Sequence, residues 1–358
     1  MDLSKLNTAQ CASVTAGDGA HRVIAGAGTG KTRTLVHRVA WLIEQGVPPE
    51  SIVLLTFTRR AAREMLQRAS RQVGARAHGV RGGTFHGFAH RTLRRHAEQV
   101  DRTPQFTVLD QGDAEELVGM ARTALGLGGR GRRRFPRAKA LLGMFSKATN
   151  LGISLEEAVS RHNPRFERDI PDIVRVRTAY EARKASQDAL DFDDLLIFLG
   201  RLLARHPVAR KEIAGRCRHV LVDEYQDVNR LQARIACLLS VVHGNLMVVG
   251  DEAQSIYAFR GASVDHILDF SKLFPEAPTT VLTDNYRSTT QVLDLANGVL
   301  DSMHTGIEKA LVSCVGDGPK PRLIGVEDDD RQADHVVSRV LELREDGVGL
   351  DEQAVLAR

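Results

Sequence analysis

Cysteine is scarce. Cys11, Cys217, Cys237 and Cys314 are the only four, and no two of them form a C-x-x-C pair. Such scatter argues against a disulfide framework or a zinc ribbon and fits reduced thiols in a cytoplasmic protein. No run of about 18 apolar residues occurs, so no segment is expected to span a membrane. The opening MDLSKLNTAQ lacks the apolar stretch of a secretory signal. Tryptophan appears once, at Trp41, which fits the core face of a helix. No internal repeat period is visible. Neither charge sign dominates: 49 Lys+Arg against 45 Asp+Glu leave a net +4. That balance permits an anionic partner without requiring one.

What is present is alternation. The Val/Ile/Leu-rich runs RVIAG, SIVLLTFT, HVLVDE, NLMVVGD and TVLTDN are separated by stretches of helical periodicity. Continuous apolar runs of this length suit strands buried on both faces of a parallel sheet. The expected fold class is therefore α/β, with a parallel sheet at its centre. From about Arg91 to Ser186 strand-like runs nearly vanish, which points to an inserted helical domain. Asp110 and Ser154 are expected to cap helices there, Ser154 in a capping box with Glu157. Between Arg91 and Asn150 there are twelve Lys/Arg and six Asp/Glu, an excess larger than that of the whole chain. The loop arginines Arg130, Arg132, Arg133, Arg134 and Arg137 are candidates for duplex phosphates. After Pro278 a further α/β unit is expected, with strands in PRLIGVED and AVLAR.

The stretch AGAGTGKT at Ala25–Thr32 carries the first chemistry. A glycine-rich turn between strand and helix aims backbone N–H groups at phosphate oxygens, and the helix N-terminus adds partial positive charge. Ala27, Gly28, Thr29, Gly30, Lys31, Thr32 and Arg33 form the candidate nucleotide-binding set. Lys31 would reach the β- and γ-phosphates, and the Thr32 hydroxyl would hold Mg²⁺. The usual pattern has glycine where this chain has Ala25. A residue closing a strand needs no positive φ, so alanine suffices there.

Phosphoryl transfer also needs a metal-side carboxylate and a group that orients water. HVLVDEYQD offers Asp223 for the first and Glu224 as general base. Gln254, after the NLMVVGD run, is placed to sense the γ-phosphate. Tyr257, Phe259 and Arg260 join aromatic faces to a cation, as base stacking requires. In NYRS, Tyr286 could stack on adenine and Arg287 could act as an arginine finger. Asp191, Asp193 and Asp194 in LDFDDLL are expected to open a helix rather than to bind a metal. His86 and His90 stand four apart without the glutamate a zinc protease needs.

These segments, in this order, resemble superfamily 1 DNA helicases of the UvrD/PcrA/Rep type. LNTAQ resembles their adenine-reading segment, AGAGTGKT motif I, TFTRRAAREM motif Ia, GTFHGF motif Ib, VDEYQDVN motif II, GDEAQSIYAFRGA motif III and NYRS motif IV. The family tolerates alanine at Ala25. The resemblance implies a RecA-like P-loop sheet clasping ATP and Mg²⁺, and translocation with 3′→5′ polarity on single-stranded DNA and at single-strand/duplex junctions. It assigns Gln10 to adenine, and Phe57, Phe85, His86, Tyr257, Phe259 and Arg260 to the strand. The family often has tryptophan at Phe259 and serine at Gly87. It also implies residues 1–98 and 188–278 as the ATP-binding domain, 99–187 as the helical basic insert, and 279–358 as the start of a second RecA-like domain. No segment after Ser288 looks like motif V or VI, so an N-terminal portion is expected. The alternative is a nucleotide-gated DNA-binding module without hydrolysis. Partner proteins in repair are not identified.

Overall fold

Alternate residues of a strand point to opposite faces, so a strand apolar throughout must be covered on both sides. In the computed structural model, which describes residues 2–127, 135–303 and 306–357 (without the Arg260 side chain), this is what the apolar runs do. The strands are β1 (His21–Ala25), β2 (Ile52–Thr56), β3 (Arg81–Thr84), β4 (Thr107–Val108), β5 (Ala189–Leu190), β6 (His219–Val222), β7 (Leu246–Gly250), β8 (Thr279–Leu282), β9 (Asp284–Asn285) and β10 (Val312–Ser313). Six of them build one sheet in the order β3-β2-β6-β7-β1-β8, every pair parallel. Val23 and Ala25 of β1 enter one core while Ile24 enters the other.

Helices α1 (Thr8–Thr15), α2 (Lys31–Glu44), α3 (Arg59–Val73) and α4 (Phe85–Arg95) come first. The cores on the two faces are distinct: Leu35, Val39 and Met65 of α2 and α3 fill one, Phe88 and Leu93 of α4 the other. Trp41 packs half-buried against the first. The α/β expectation is borne out, and all five apolar runs are strands. The strand the sequence does not announce is β3. RGGT has no apolar signal, and its ladder with β2 alone defines it.

The chain then leaves the sheet for α5 (Gln111–Ala124), α6 (Ala138–Leu151), α7 (Leu155–His162) and α8 (Ile170–Ser186), which close over their own core around Val118, Phe145, Val159 and Tyr180. The short parallel pair β4–β5 joins the outgoing and returning strands. Asp110 caps α5 in a capping box with Asp113. Ser154 caps α7 by accepting from Glu157 N, but the reciprocal half expected of Glu157 is not made, because its carboxylate pairs with Arg161. Arg137 is the exposed N-cap of α6; Arg130, Arg132, Arg133 and Arg134 lie outside the described residues.

The chain returns through α9 (Phe192–Arg205), α10 (Pro207–Gly215) and α11 (Arg230–Ser240). Asp191 caps α9 with Asp194 as its box partner, and buried Lys184 reaches both carboxylates at 2.8 and 2.6 Å. The aspartate cluster is thus a helix start, as expected. Short helices α12 (Asp265–Leu268) and α13 (Phe270–Leu273) lead to β8, which lies beside β1 in the main sheet, and α14 (Thr290–Asp301) follows. Residues 317–357 form a separate unit built on α15 (Asp329–Glu345), capped by Asp328. Among the described residues, the strands expected in PRLIGVED and AVLAR are not formed over 321–328 and 354–357. A strand needs a neighbour to pair its N–H and C=O groups, and among the described residues of this unit there is none. Among the described residues no helix is long and apolar enough to cross a membrane.

His21 and His219 open β1 and β6 at 7% and 3% exposure. Burial, with added repulsion from Arg38, holds both imidazoles down at about 4. Between that value and the ordinary 6.5 the unfolded chain binds more protons than the folded one, so stability falls as pH drops through this window. The contribution of these two rings to the thermal midpoint should therefore decline between about pH 6.5 and about pH 4, against the opposite contribution of the raised carboxyls of Asp194, Asp223 and Asp227. The midpoint difference between the unaltered chain and a His21→Gln/His219→Gln variant should change across this window; a constant difference would contradict the assignment.

Candidate functional site

All six strands are parallel, so their C-terminal ends share one edge, the usual ligand side of such a sheet. The loop after β1 lies there. Ala25 is the last residue of β1, fully buried and paired with Leu282, and is not in the left-handed region. Gly28 and Gly30 do adopt positive φ, +76° and +92°. A Cβ on Gly28 would stand 2.7 Å from Asn285 Nδ2, and one on Gly30 2.6 Å from Gln10 Nε2. Glycine is thus required twice, by conformation and by space.

Neighbouring side chains hold this loop from two sides. Gln10 is fully buried: its Nε2 donates to Thr29 O at 2.8 Å, and its Oε1 accepts from Asn7 N within the α1 capping box. Asn285, 1% exposed, donates to Ala27 O at 2.6 Å and accepts from Arg287 N and Ser288 N at 2.8 Å each. Tyr286 N donates to Gly28 O at 2.9 Å, and Asn7 Nδ2 donates to the Tyr286 hydroxyl at 3.1 Å. Tyr286 is 43% exposed beside the loop, and the Arg287 Cβ lies over Gly28. The Arg33 guanidinium donates to Lys5 O, which ties α2 to the segment before α1.

Lys31 opens α2 and turns its ammonium toward the ends of β6 and β7. Its Nζ is 3.1 Å from Glu224 Oε2 and 3.4 Å from Gln254 Oε1. Glu224 has φ +50°, unusual for a residue with a side chain. Such a conformation costs about 1–3 kcal/mol and persists where the surroundings impose it. Gln226 contributes by donating Nε2 to Glu224 Oε2 at 2.9 Å. Asp223 directly follows β6, almost wholly buried, and its Oδ1 has no hydrogen-bond partner. Burial, then the charge of Glu224, raises its carboxyl to about 7, although Lys31 opposes the rise. A buried carboxylate with an unused oxygen is suited to a hard cation. Thr32, Asp223, Glu224 and Gln254 line one cavity of about 390 Å³. Asp223 and Thr32 thus fit Mg²⁺.

A second cavity, of about 600 Å³, adjoins the first through Phe57, Asp223, Glu224 and Asp227, and runs between the sheet edge and α6 of the insert. Phe57 follows β2 and is 4.9 Å from Tyr257, centroid to centroid; Tyr257 is 5.9 Å from Phe259. Phe259 is 68% exposed and Phe57 39%. His86 meets Phe192 edge-on at 6.0 Å, and burial lowers its pKa, which favours the neutral ring. Phe85 touches the cavity but is 5% exposed, a core residue in the main. Lys147 and Asn150 of α6 supply the opposite wall.

The model of the UvrD/REP helicase N-terminal domain matches residues 6–275. The chain belongs to the UvrD/REP helicase family. Across 357 residues it is 32% identical to proteins named ATP-dependent DNA helicase PcrA in Staphylococcus aureus and in Staphylococcus epidermidis. The alignment takes in 99% of this chain and 48% of each relative. The chain therefore spans about half the length of the curated relatives it matches.

The structure brings Thr32, Asp223, Glu224 and Gln254 to one cavity, the Lys31 ammonium to Glu224 and Gln254, and the Tyr286–Arg287 turn to the phosphate loop. It gathers Phe57, Tyr257 and Phe259 into an aromatic row that passes from the first cavity, lined by Tyr257, to the second, lined by Phe259. Several residues of this UvrD/REP family site escape sequence reasoning. Asn285 clamps the loop from 258 residues away, and its signal was an asparagine opening a turn. Gln226, inside the quoted DEYQD, orients Glu224. Asp251 lies within the segment that resembles motif III but receives no role from the sequence, and Lys309 carries no signal in a single sequence.

Proposed function

We propose that this chain is the ATP-binding part of a DNA helicase that moves along single-stranded DNA. The observation that carries the reading is the convergence of Lys31, Glu224 and Gln254 beside the buried Asp223. ATP would lie with its phosphates on the loop at Ala27–Thr32, cradled by backbone N–H groups. Mg²⁺, held by Thr32 and Asp223, would neutralise charge on the phosphates. The phosphates compete with Glu224 for Lys31. When they win, the Glu224 carboxylate is released to take a proton from water. Gln254 would report the γ-phosphate, Tyr286 stack on adenine and Arg287 stabilise the transferring group. Gln10, proposed as the adenine contact, also braces the loop through Thr29.

The aromatic row Phe57, Tyr257 and Phe259, with His86 and Arg260, is the proposed track for the strand. It begins where the nucleotide cavity ends, so the two sites share a wall. We propose residues 1–98 and 188–278 as the ATP-binding domain, 99–187 as the DNA-facing insert, and 279–358 as the start of a second RecA-like domain. Polarity 3′→5′, action at junctions, a role in repair or replication and a cytoplasmic location belong to the same proposal.

The test is ATP turnover by this chain with and without single-stranded DNA. Stimulation by DNA supports a motor; nucleotide binding with no turnover favours a nucleotide-gated binding module. Phe259→Ala should weaken binding of a thymidine oligomer by about 1–3 kcal/mol, the usual loss of one stacking platform. Its 68% exposure implies little change in thermal midpoint. Unchanged oligomer affinity would remove Phe259 from the track.

A further inference from the structure

We infer that Lys309 is a positioning residue for ATP hydrolysis: its buried ion pair with Asp251 fixes which end of the Gln254 side-chain amide faces Lys31. The inference deepens the proposed function and rests on it. Lys309 lies between α14 and β10, yet its side chain is 2% exposed. Its Nζ is 2.8 Å from Asp251 Oδ1 and 2.5 Å from Glu252 Oε1, and those carboxylates are 4% and 3% exposed. Ile307 N also donates to Glu252 Oε1, at 3.1 Å. So dry an ion cluster is costly to assemble and contributes little stability compared with apolar packing. Its value here is orientation.

The two oxygens of Asp251 have separate duties. Oδ1 takes Lys309 and accepts from Ala253 N at 3.2 Å. Oδ2 accepts from Gln254 Nε2 in a short bond. An ionised carboxylate can only accept. The amide nitrogen of Gln254 must therefore face Asp251, and its oxygen must face Lys31, where it stands at 3.4 Å. A second path starts from the same residue. Asp251 N donates to Gln226 Oε1 at 3.0 Å, and Gln226 Nε2 donates to Glu224. A Cβ on Gly250 would come within 2.5 Å of that Gln226 oxygen, so the path has no slack. Both groups that touch Lys31 are thus aimed from Asp251, Glu224 through the Asp251 backbone N–H and Gln254 through the Asp251 carboxylate, and Lys309 anchors the carboxylate alone. Without the ammonium, two adjacent buried carboxylates repel each other. Asp251 relieves this by turning, and the Gln254 amide loses its fixed direction.

The experiment has two readouts on the whole chain. The first is the side-chain amide resonance of Gln254 in nucleotide-free protein labelled with ¹⁵N-glutamine, assigned by its loss in Gln254→Ala. Lys309→Met should shift it, and Glu252→Gln, which keeps the Lys309–Asp251 pair, should not. The second is steady-state turnover. Lys309→Met should lower kcat about tenfold, a cost typical of a misaimed group, with KM for ATP within about twofold. In a Gln254→Ala background the same change should cost nothing more. If Lys309→Met does not fold, Lys309→Met/Glu252→Gln replaces it, since it removes one charge of each sign. An unmoved Gln254 resonance, or losses that multiply in the double variant, overturns the inference. A chain that never turns over ATP sinks the motor reading, while the resonance still decides the role of Lys309.

Discussion

Lys31→Ala should leave the fold intact and abolish useful nucleotide binding. In the nucleotide-free protein the ammonium is held by Glu224, whose side chain is 34% exposed. Lys31 is 11% exposed, but with the carboxylate a third open to solvent the pair contributes about 1 kcal/mol, and the thermal midpoint should move little. Bound triphosphate is another matter. Lys31 would be the cation closest to the β- and γ-phosphates, and each charge-assisted bond is worth about 1.5–3 kcal/mol. Losing two such contacts weakens binding by at least about a hundredfold. Affinity is read by fluorescence titration with a labelled ATP analogue. Retention of affinity within a few-fold would place the phosphates elsewhere.

Glu224→Gln should separate binding from chemistry. The amide keeps the size of the side chain and its place beside Gln226, but it cannot take a proton from water. General-base loss typically costs about 10²–10⁴ in rate, so single-turnover hydrolysis should fall by that factor. Binding should stay level or tighten, because the phosphates no longer compete with an ion pair for Lys31. This sign distinguishes the site from one in which Glu224 only shapes the pocket; there, affinity and rate would fall together. Hydrolysis at the normal rate would assign the base to another carboxylate, and Asp227 lines the same cavity.

Much of the frame was legible because burial on both faces leaves a plain mark. HVLV and LMVVG permit little besides a covered strand, and a carboxylate or amide directly after each falls at the ligand edge. The loop was legible because glycines at positions 28 and 30 are demanded by both backbone and contacts. What escaped had weaker causes in sequence. The strand Arg81–Thr84 contains two glycines and is defined by its neighbour. Pro321–Asp328 is apolar enough for a strand but has no partner in its unit. Lys309 resembles any surface lysine, and only the fold shows that it enters the interior beside Asp251. Phe85 was paired in expectation with exposed aromatics, yet the first turn of α4 directs it into the core.

The central claim is that the loop between Ala25 and Thr32 grips a triphosphate whose magnesium is tethered at Asp223. Titration calorimetry of the chain with a non-hydrolysable ATP analogue tests it most directly. The account predicts one saturable site with Mg²⁺ present, weakened by Asp223→Asn and lost in Lys31→Ala. No binding by the unaltered chain, or equal binding by all three proteins, would contradict it.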